Sequence, residues 1–196
     1  MDIAMPDLHF KLMSLLFKIR DLLVPRRTIL KEAGLLPGFQ VLDYGCGPGS
    51  YTIAAAQMVG SSGTVSALDI HPLAIESVND AALKKNLTNI QAIRSDCNTS
   101  LPDKSIDVVL FYDILHDLSE PTKVLEELHR VRKPEGRLSF SDHHMKEHEI
   151  ILRMTSSKLF RLRGRGKRTF TFEKARCEEL SNCSRRSSSN RLGEKY

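Results

Sequence analysis

The chain has 196 residues, 41% of them hydrophobic, which suits one α/β domain with a sizeable core. No stretch approaches the roughly 18 consecutive apolar residues of a membrane-spanning helix, and Met1-Asp2 is unlike the basic start of a signal peptide. The net charge of +5 is uneven: residues 158–196 carry +8, and residues 1–157 carry −3. The basic character therefore belongs to the C-terminal end.

The cysteines exclude a disulfide scaffold and a zinc module. Cys46, Cys97, Cys177 and Cys183 are scattered, without a C-x-x-C pair or zinc-like spacing. We interpret them as reduced thiols, which predicts a cytoplasmic protein.

Two helices are predicted ahead of the first strand. Leucine and isoleucine recur at helical spacing from Leu12 to Leu23, and Pro25 ends this amphipathic pattern. A lid or packing helix is favoured over a membrane-surface helix, because the polar face carries few charges and no tryptophan. A second helix covers Arg26 to Ala33 and ends at Gly34.

The central stretch of the sequence is VLDYGCGPGSYTIAA, residues 41–55. An apolar run predicts a buried strand, three glycines predict a tight turn, and Tyr51 begins a helical pattern. A second apolar strand, Gly63 to Ile70, contains Asp69, 24 residues beyond Gly45. A βαβ unit delivers an acid at this distance to a ribose diol.

The glycine spacing argues against a dinucleotide. The fingerprint G-x-G-x-x-G needs glycine at position 50, which is Ser50, and Pro48 removes one backbone N–H from the turn. A pyrophosphate needs such donors, so the turn favours a nucleoside-like ligand without phosphate. A dehydrogenase is excluded on the same ground, together with the lack of a convincing Tyr-x-x-x-Lys pair.

The remaining pattern alternates strands and helices. Strands are predicted over 89–94, 105–115, 137–140, 159–162 and 168–172, and helices over 71–83, 120–131 and 146–156. Turns are predicted at 133–136 and at 164–166, and the Ser/Arg-rich segment from Ala175 onward is predicted to be a disordered tail.

Polar side chains follow the fourth and fifth strands, where parallel sheets place their functional residues. The fourth is followed by Tyr112, Asp113, His116 and Asp117, and the fifth by the run 141–144, Ser-Asp-His-His.

The turn from Asp43 to Gly49 resembles motif I of the class I S-adenosylmethionine-dependent methyltransferases, and Asp69 resembles their motif II acid. The segment RVRKPEGRLSFSD resembles their motif before strand five, and the resemblance covers roughly residues 25–174. It implies a Rossmann-like, doubly wound α/β fold: a seven-stranded, mostly parallel sheet of order 3-2-1-4-5-7-6 with an antiparallel last strand. It also implies an N-terminal helix (1–24) over the cofactor cleft, a methyltransferase domain (25–174) and a basic tail (175–196).

The resemblance implies S-adenosyl-L-methionine as cofactor and S-adenosyl-L-homocysteine as product. Asp43, Gly45 and Gly47 are expected near the amino-acid part of the cofactor, Asp69 at the ribose, and Asp96 at the adenine amino group. Further cofactor contacts are expected from Cys46, Ile70 and Cys97, which are adjacent to these residues in the sequence, and from Tyr112 on strand four.

Methyl transfer from a sulfonium is an in-line displacement, for which the protein supplies proximity, orientation and, where needed, a base. We expect His116 or His143 to be the base or the acceptor-orienting group, with Tyr112 beside them. Asp113, Asp142 and His143 loosely resemble the carboxylate cluster of magnesium-dependent catechol-type O-methyltransferases, but His143 replaces an oxygen ligand, so no metal is predicted. Arsenite is a poor fit, because only Cys97 lies near the predicted site.

The acceptor is predicted to be a small molecule. Nucleic acid or protein remains an alternative through the basic C-terminal end, including Arg161, Arg163, Arg165, Lys167 and Arg168. A non-catalytic S-adenosylmethionine-binding module is the other alternative. The acceptor atom and the oligomeric state do not follow from the sequence.

Overall fold

The computed structural model describes residues 6–13 and 26–175. The predicted helix from Leu12 to Leu23 is described only as far as Met13, as the end of a helical segment α1 (7–13). Residues 14–25 and the predicted tail beyond Ala175 lie outside the described residues. Cys177 and Cys183 fall in that tail, whereas Cys46 and Cys97 are both free thiols.

Seven strands form one sheet in the order β3-β2-β1-β4-β5-β7-β6, which confirms the predicted order. They are β1 (Gln40–Tyr44), β2 (Thr64–Asp69), β3 (Ile90–Arg94), β4 (Ile106–Tyr112), β5 (Arg132–Ser141), β6 (Phe160–Arg165) and β7 (Phe170–Lys174).

Strands β1 to β5 pair in parallel, and β7 pairs antiparallel to both β5 and β6. The sequence order reverses between β1 and β4, so their carboxyl ends flank a crevice of the kind that binds ligands in doubly wound sheets.

Helices cover both faces of the sheet. They are α2 (Arg26–Glu32), α3 (Ser50–Val59), α4 (Pro72–Lys84), α5 (Pro121–Val131) and α6 (Glu147–Ser156), with a 3₁₀ turn over Leu115–Asp117. No helix among the described residues is long and apolar enough to cross a membrane.

The sheet needs two cores because successive strand residues face opposite sides. In β4, Val108 and Leu110 pack into a cluster with α2 and α3, whereas Val109 and Phe111 pack into a larger cluster with α5 and α6. This alternation explains why the strand is a continuous apolar run rather than a half-polar one.

Three predicted boundaries were wrong. Strand β4 ends at Tyr112 rather than Leu115, because Asp113 has φ 52°, which breaks extended backbone. The predicted turn 133–136 lies inside β5 as an irregularity, where pairing jumps from Ile106–Arg132 to Val108–Arg137. The hairpin turn lies after β6 rather than at 164–166, and Gly166 N–H donates to the Thr169 carbonyl at 2.7 Å.

Candidate active site

A cavity of about 510 Å³ lies at the carboxyl ends of β1, β2 and β4. Its size falls within the range of roughly 300–1,000 Å³ that small-molecule sites occupy. Its lining includes Phe10, Cys46, Gly47, Asp69, Ile70, Asp96, Tyr112 and Asp113.

The glycine turn after β1 forms one wall of this cavity. The N–H groups of Gly45 and Cys46 both donate to the Leu68 carbonyl, at 2.8 and 2.9 Å, which ties the turn to β2. Gly45 has φ 77°, and a Cβ there would collide with the Ile114 side chain. Gly47 has φ 52° and lines the cavity, and a Cβ there would meet nothing within 4 Å. The empty space beside Gly47 fits a ligand that approaches the backbone closely.

Asp69 lies at the edge of the cavity with both carboxylate oxygens held by backbone. Oδ2 accepts from Gly47 N–H and Oδ1 accepts from His71 N–H, each at 2.8 Å. Burial raises the pKa of Asp69, and these two N–H groups oppose that shift. A carboxylate offers about four lone-pair positions, so Asp69 keeps capacity for the two hydroxyls of a ribose.

Asp43 is placed behind the turn, not in the cavity lining. Its buried carboxylate accepts a hydrogen bond from Thr52 Oγ1 at 2.6 Å, which joins β1 to the first turn of α3. Burial raises the pKa of Asp43 to about 6, against the lowering effect of the Thr52 hydrogen bond. Asp43 therefore supports the turn through Thr52, and its position near the amino-acid part of a cofactor stays a prediction.

Of the other predicted cofactor residues, some line the cavity and one does not. Cys46, Ile70 and Asp96 line the cavity, and the Tyr44 hydroxyl donates to the Asp96 carbonyl at 3.2 Å. Burial raises the pKa of the Cys46 thiol, which keeps it neutral. Cys97 instead packs against the larger hydrophobic core.

The lining residues that the sequence did not predict include Phe10 and His71. Phe10 of α1 is 3% exposed and stacks on the His71 ring, with centroids 4.4 Å apart and planes at 24°. His71 Nδ1 accepts from the Leu73 N–H and so caps α4. The His71-Pro72 pair was a readable helix-start signal, but no local pattern shows that Phe10 covers it.

Behind the cavity, two histidine–aspartate pairs cross between the ends of β4 and β5. His143 Nδ1 lies 2.7 Å from Asp113 Oδ1, and His116 Nδ1 lies 2.8 Å from Asp142 Oδ2. The His144 ring lies between the two histidines, with centroids 4.0 Å from His143 and 4.3 Å from His116. The structure thus joins the predicted histidines into one cluster, with each Nδ1 held by a carboxylate.

Tyr112 lines the cavity with its ring while its hydroxyl points into the protein. The hydroxyl and Ser139 Oγ are 2.7 Å apart and both residues are buried. Burial raises the pKa of Tyr112, so the phenol is a poor proton acceptor. This placement favours the cofactor contact predicted for Tyr112 over its predicted catalytic part.

The carboxylates that resembled a magnesium cluster are engaged by histidine. Asp113 and Asp142 bind different imidazoles, as described above. Within the described ranges 6–13 and 26–175, no group of three or more His, Cys, Asp or Glu side chains has an arrangement suited to a metal ion.

A second cavity of about 460 Å³ adjoins the first. Tyr51 and Asp113 line both, so they form the partition between them. His143 lines the second cavity, whereas His116 lines neither and reaches both only through Asp117 and Asp142. The second cavity is also lined by basic residues: Arg26, Arg165, Lys167 and Arg168.

Comparisons with known proteins agree with this geometry. Residues 35–184 match the family model described as a methyltransferase domain. A crystal structure of an S-adenosylmethionine-dependent methyltransferase from Aquifex aeolicus is 32% identical, with a TM-score of 0.68, covering 76% of this chain and 87% of that one.

Two curated relatives match shorter regions. Demethylmenaquinone methyltransferase of Geobacillus sp. is 30% identical over 131 residues, 66% of this chain and 56% of that protein. Arsenite methyltransferase of Halobacterium salinarum is 31% identical over 111 residues, 56% of this chain and 28% of that protein. The chain thus spans about half the length of the demethylmenaquinone methyltransferase and little more than a quarter of the length of the arsenite methyltransferase.

The matched family model extends over most of the chain, the Aquifex structure is similar along most of its length, and the sheet order is that of the family. The chain therefore belongs to the class I S-adenosylmethionine-dependent methyltransferases, whose cofactor is S-adenosyl-L-methionine.

Proposed function

We propose that the chain transfers the methyl group of S-adenosylmethionine to a small-molecule acceptor. The observation that carries this proposal is the first cavity, in which the open Gly47 backbone and the fixed Asp69 carboxylate face one space. These features fit an adenosyl sulfonium, which offers ribose hydroxyls to an acid and has no phosphate that would need further backbone donors.

The donor is proposed to lie along the turn with its ribose at Asp69 and its adenine beside Ile70 and Asp96. Gly45, Cys46 and Gly47 provide the wall near its amino-acid part. Asp43 acts through Thr52, by fixing the angle at which α3 leaves the turn. Phe10 and His71 close the cavity from the side of α1.

When bound, S-adenosylmethionine supplies an electrophilic methyl group and a thioether leaving group. The chain's own task is to align the acceptor and to exclude water. Tyr51 and Asp113 separate the two cavities, so we place the reacting acceptor atom at this partition, with the donor on one side and the rest of the acceptor on the other.

His143 and His116 are the proposed bases or acceptor-orienting groups. Asp113 and Asp142 hold the Nδ1 atoms of these imidazoles, so Nε2 is the atom proposed for proton transfer; in His116 this atom lies 3.4 Å from Asp117 Oδ2. His143 is the better placed of the two, because it lines the second cavity and bonds to a residue of the partition.

A small acceptor is favoured over nucleic acid by the pairing of the basic residues on β6. Arg161 and Arg163 form salt bridges with Glu173, and Arg165 pairs with Glu147 at 2.6 Å. Charges compensated in this way contribute less to phosphate binding than a free basic stripe. The relatives also carry small-molecule names, demethylmenaquinone and arsenite.

We also propose that the catalytic unit is the predicted domain 25–174, covered at the cavity by the N-terminal helix. The cytoplasmic location and the reduced state of the tail cysteines stay predictions.

The test is a methyl-donor assay with labelled S-adenosylmethionine across phenol, amine, thiol and carbon acceptors, read as labelled product. Turnover that is lost in Asp69→Ala supports the proposal. Tight donor binding without transfer to any acceptor would favour the non-catalytic module. Unchanged turnover in both His116→Ala and His143→Ala would remove the histidines from the chemistry.

A further inference from the structure

We propose that the second cavity binds an anionic group, a carboxylate or a phosphate, of the small acceptor. This inference rests on the proposed function, because it treats the partition at Tyr51 and Asp113 as the place of transfer.

The second cavity is lined by charged side chains of both signs. The cavity is lined by three carboxylates, and each already has a cationic or imidazole partner: Asp113 with His143, Asp142 with His116, and Glu147 with Arg165. Lys167 and Arg168 also line it, and neither forms a salt bridge with any residue that the structure describes. The lining as a whole carries four cationic side chains (Arg26, Arg165, Lys167 and Arg168) against these three carboxylates, an excess of one positive charge.

The turn that carries Lys167 and Arg168 is held in place by a carboxylate of α2. Glu32, in α2, accepts hydrogen bonds from Arg168 N–H at 3.0 Å, Thr169 N–H at 3.2 Å and Thr169 Oγ1 at 3.0 Å. This carboxylate fastens the turn between β6 and β7 to the helix that also carries Arg26. Lys167 and Arg168 therefore lie on a turn that these hydrogen bonds fix beside the cavity.

A buried arginine, Arg26, also lines the second cavity. Arg26 is only 8% exposed, donates from Nη1 to the Tyr51 hydroxyl at 2.9 Å, and has its guanidinium carbon 4.6 Å from the Tyr51 ring centre. Arg26 therefore places a buried guanidinium at the partition, in contact with Tyr51.

An acceptor with one acidic group fits this layout. Its anionic end is held by Lys167 and Arg168 with Arg26 behind, and its nucleophilic end reaches the partition beside His143. Lys167 and Arg168 lie side by side on one turn, which suits a single small anion, whereas a nucleic-acid backbone would need cations spread along a surface.

The test is calorimetric titration of the full chain, with and without saturating S-adenosylhomocysteine. The probes are 4-hydroxybenzoate, phenyl phosphate, the neutral 4-hydroxybenzamide and a single-stranded RNA 20-mer. The variant is the double substitution K167A/R168A, whose side chains are exposed. The matched control is K84A/K85A, which removes two exposed cations at the far end of α4, outside both cavities.

We expect at least one of the two anions to bind the parent about tenfold more tightly than the amide, as loss of a charge-assisted hydrogen bond predicts. K167A/R168A should lose about that factor, with S-adenosylhomocysteine affinity unchanged, and K84A/K85A should match the parent.

The inference would be overturned if neither 4-hydroxybenzoate nor phenyl phosphate binds the parent more tightly than 4-hydroxybenzamide does, or if anion affinity is equal in K167A/R168A and the parent. Binding of the RNA alone, weakened in K167A/R168A, would overturn it in favour of a nucleic-acid acceptor. Anion binding that depends on Lys167 and Arg168 in a chain that fails to bind S-adenosylhomocysteine would keep the anion site and remove the proposed function.

Discussion

Asp69 accepts a hydrogen bond at 2.8 Å from the backbone N–H of Gly47, so the acid at the end of β2 closes the glycine turn at the end of β1. The same carboxylate accepts from His71 N–H, which connects it to the start of α4. Asp69 thus shapes the turn, and we propose that it also holds the ribose. Its replacement should affect both.

The first prediction separates these functions. Asp69→Asn keeps one acceptor oxygen for the backbone but loses the negative charge, whereas Asp69→Ala loses both. We expect S-adenosylhomocysteine affinity to fall about tenfold in Asp69→Asn and by a further order of magnitude in Asp69→Ala, because each charge-assisted hydrogen bond contributes roughly 1.5–3 kcal/mol. Calorimetry on both variants measures this, and equal affinity in the parent and in Asp69→Ala would contradict it.

The second prediction concerns the open space at Gly47. Gly47→Ala should cost about 1 kcal/mol of stability, because φ is 52°, and should reduce S-adenosylhomocysteine affinity at least tenfold, because its methyl group enters the cavity. Gly60→Ala is the control outside the cavity, since a Cβ at Gly60 would also meet nothing within 4 Å. Gly60 has φ 67° and ψ −174°, a backbone region that is essentially restricted to glycine, so Gly60→Ala should be destabilised at least as much as Gly47→Ala while it keeps the parent's S-adenosylhomocysteine affinity. Equal affinity would mean that the space beside Gly47 is not used.

The third prediction is a pH dependence that arises from Asp43. Because its pKa is about 6 in the folded protein and 3.8 in the reference state, its favourable contribution is complete below about pH 4 and is lost as the pH rises through 6. The free energy of unfolding of the parent minus that of Asp43→Asn should therefore be about 2 kcal/mol larger at pH 4.5 than at pH 7.5. Urea unfolding at both pH values measures it. A difference that stays constant, or grows with pH, would show that Asp43 is ionised without cost.

The fourth prediction concerns Tyr112. Tyr112→Phe removes a hydroxyl that is bonded to buried Ser139, so the free energy of unfolding should fall by about 1 kcal/mol. Turnover should stay within a few-fold of the parent, because the hydroxyl does not face the cavity. A loss of turnover of a hundredfold or more, with the fold intact, would restore the catalytic part that the sequence suggested.

The fifth prediction concerns Asp142, proposed as a positioning residue for His116. Its side chain is fully buried and accepts from His144 N–H as well as contacting His116 Nδ1. Asp142→Asn should lower kcat about 10- to 100-fold and change KM little, because the His116 imidazole loses its orientation while the contacts of the substrate are kept. Asp142→Glu should recover part of kcat. A change confined to KM, or to stability, would assign Asp142 a structural role.

Local signals such as apolar runs, glycine turns and Pro72 were sufficient to predict most elements, and the sheet order followed from the family resemblance. It was insufficient where distant segments decide the geometry. The end of β4 depends on the left-handed conformation of Asp113, and the position of the hairpin turn depends on Glu32, which is more than 130 residues away.

The candidate site shows the same division. Asp69, Gly47 and Asp96 could be placed at the cavity because each follows a strand of a βαβ pattern. The burial of Asp43, the stacking of Phe10 on His71 and the crossed histidine–aspartate pairs could not, because they depend on side-chain directions and on contacts between separate loops.

We propose that the first cavity is built for an adenosyl sulfonium without phosphate. Calorimetry of the full chain with S-adenosylhomocysteine and NAD, titrated separately and then in competition, tests this proposal most directly. We expect one S-adenosylhomocysteine to bind per chain and NAD not to displace it. Binding of NAD with equal affinity, or no heat with S-adenosylhomocysteine, would contradict it.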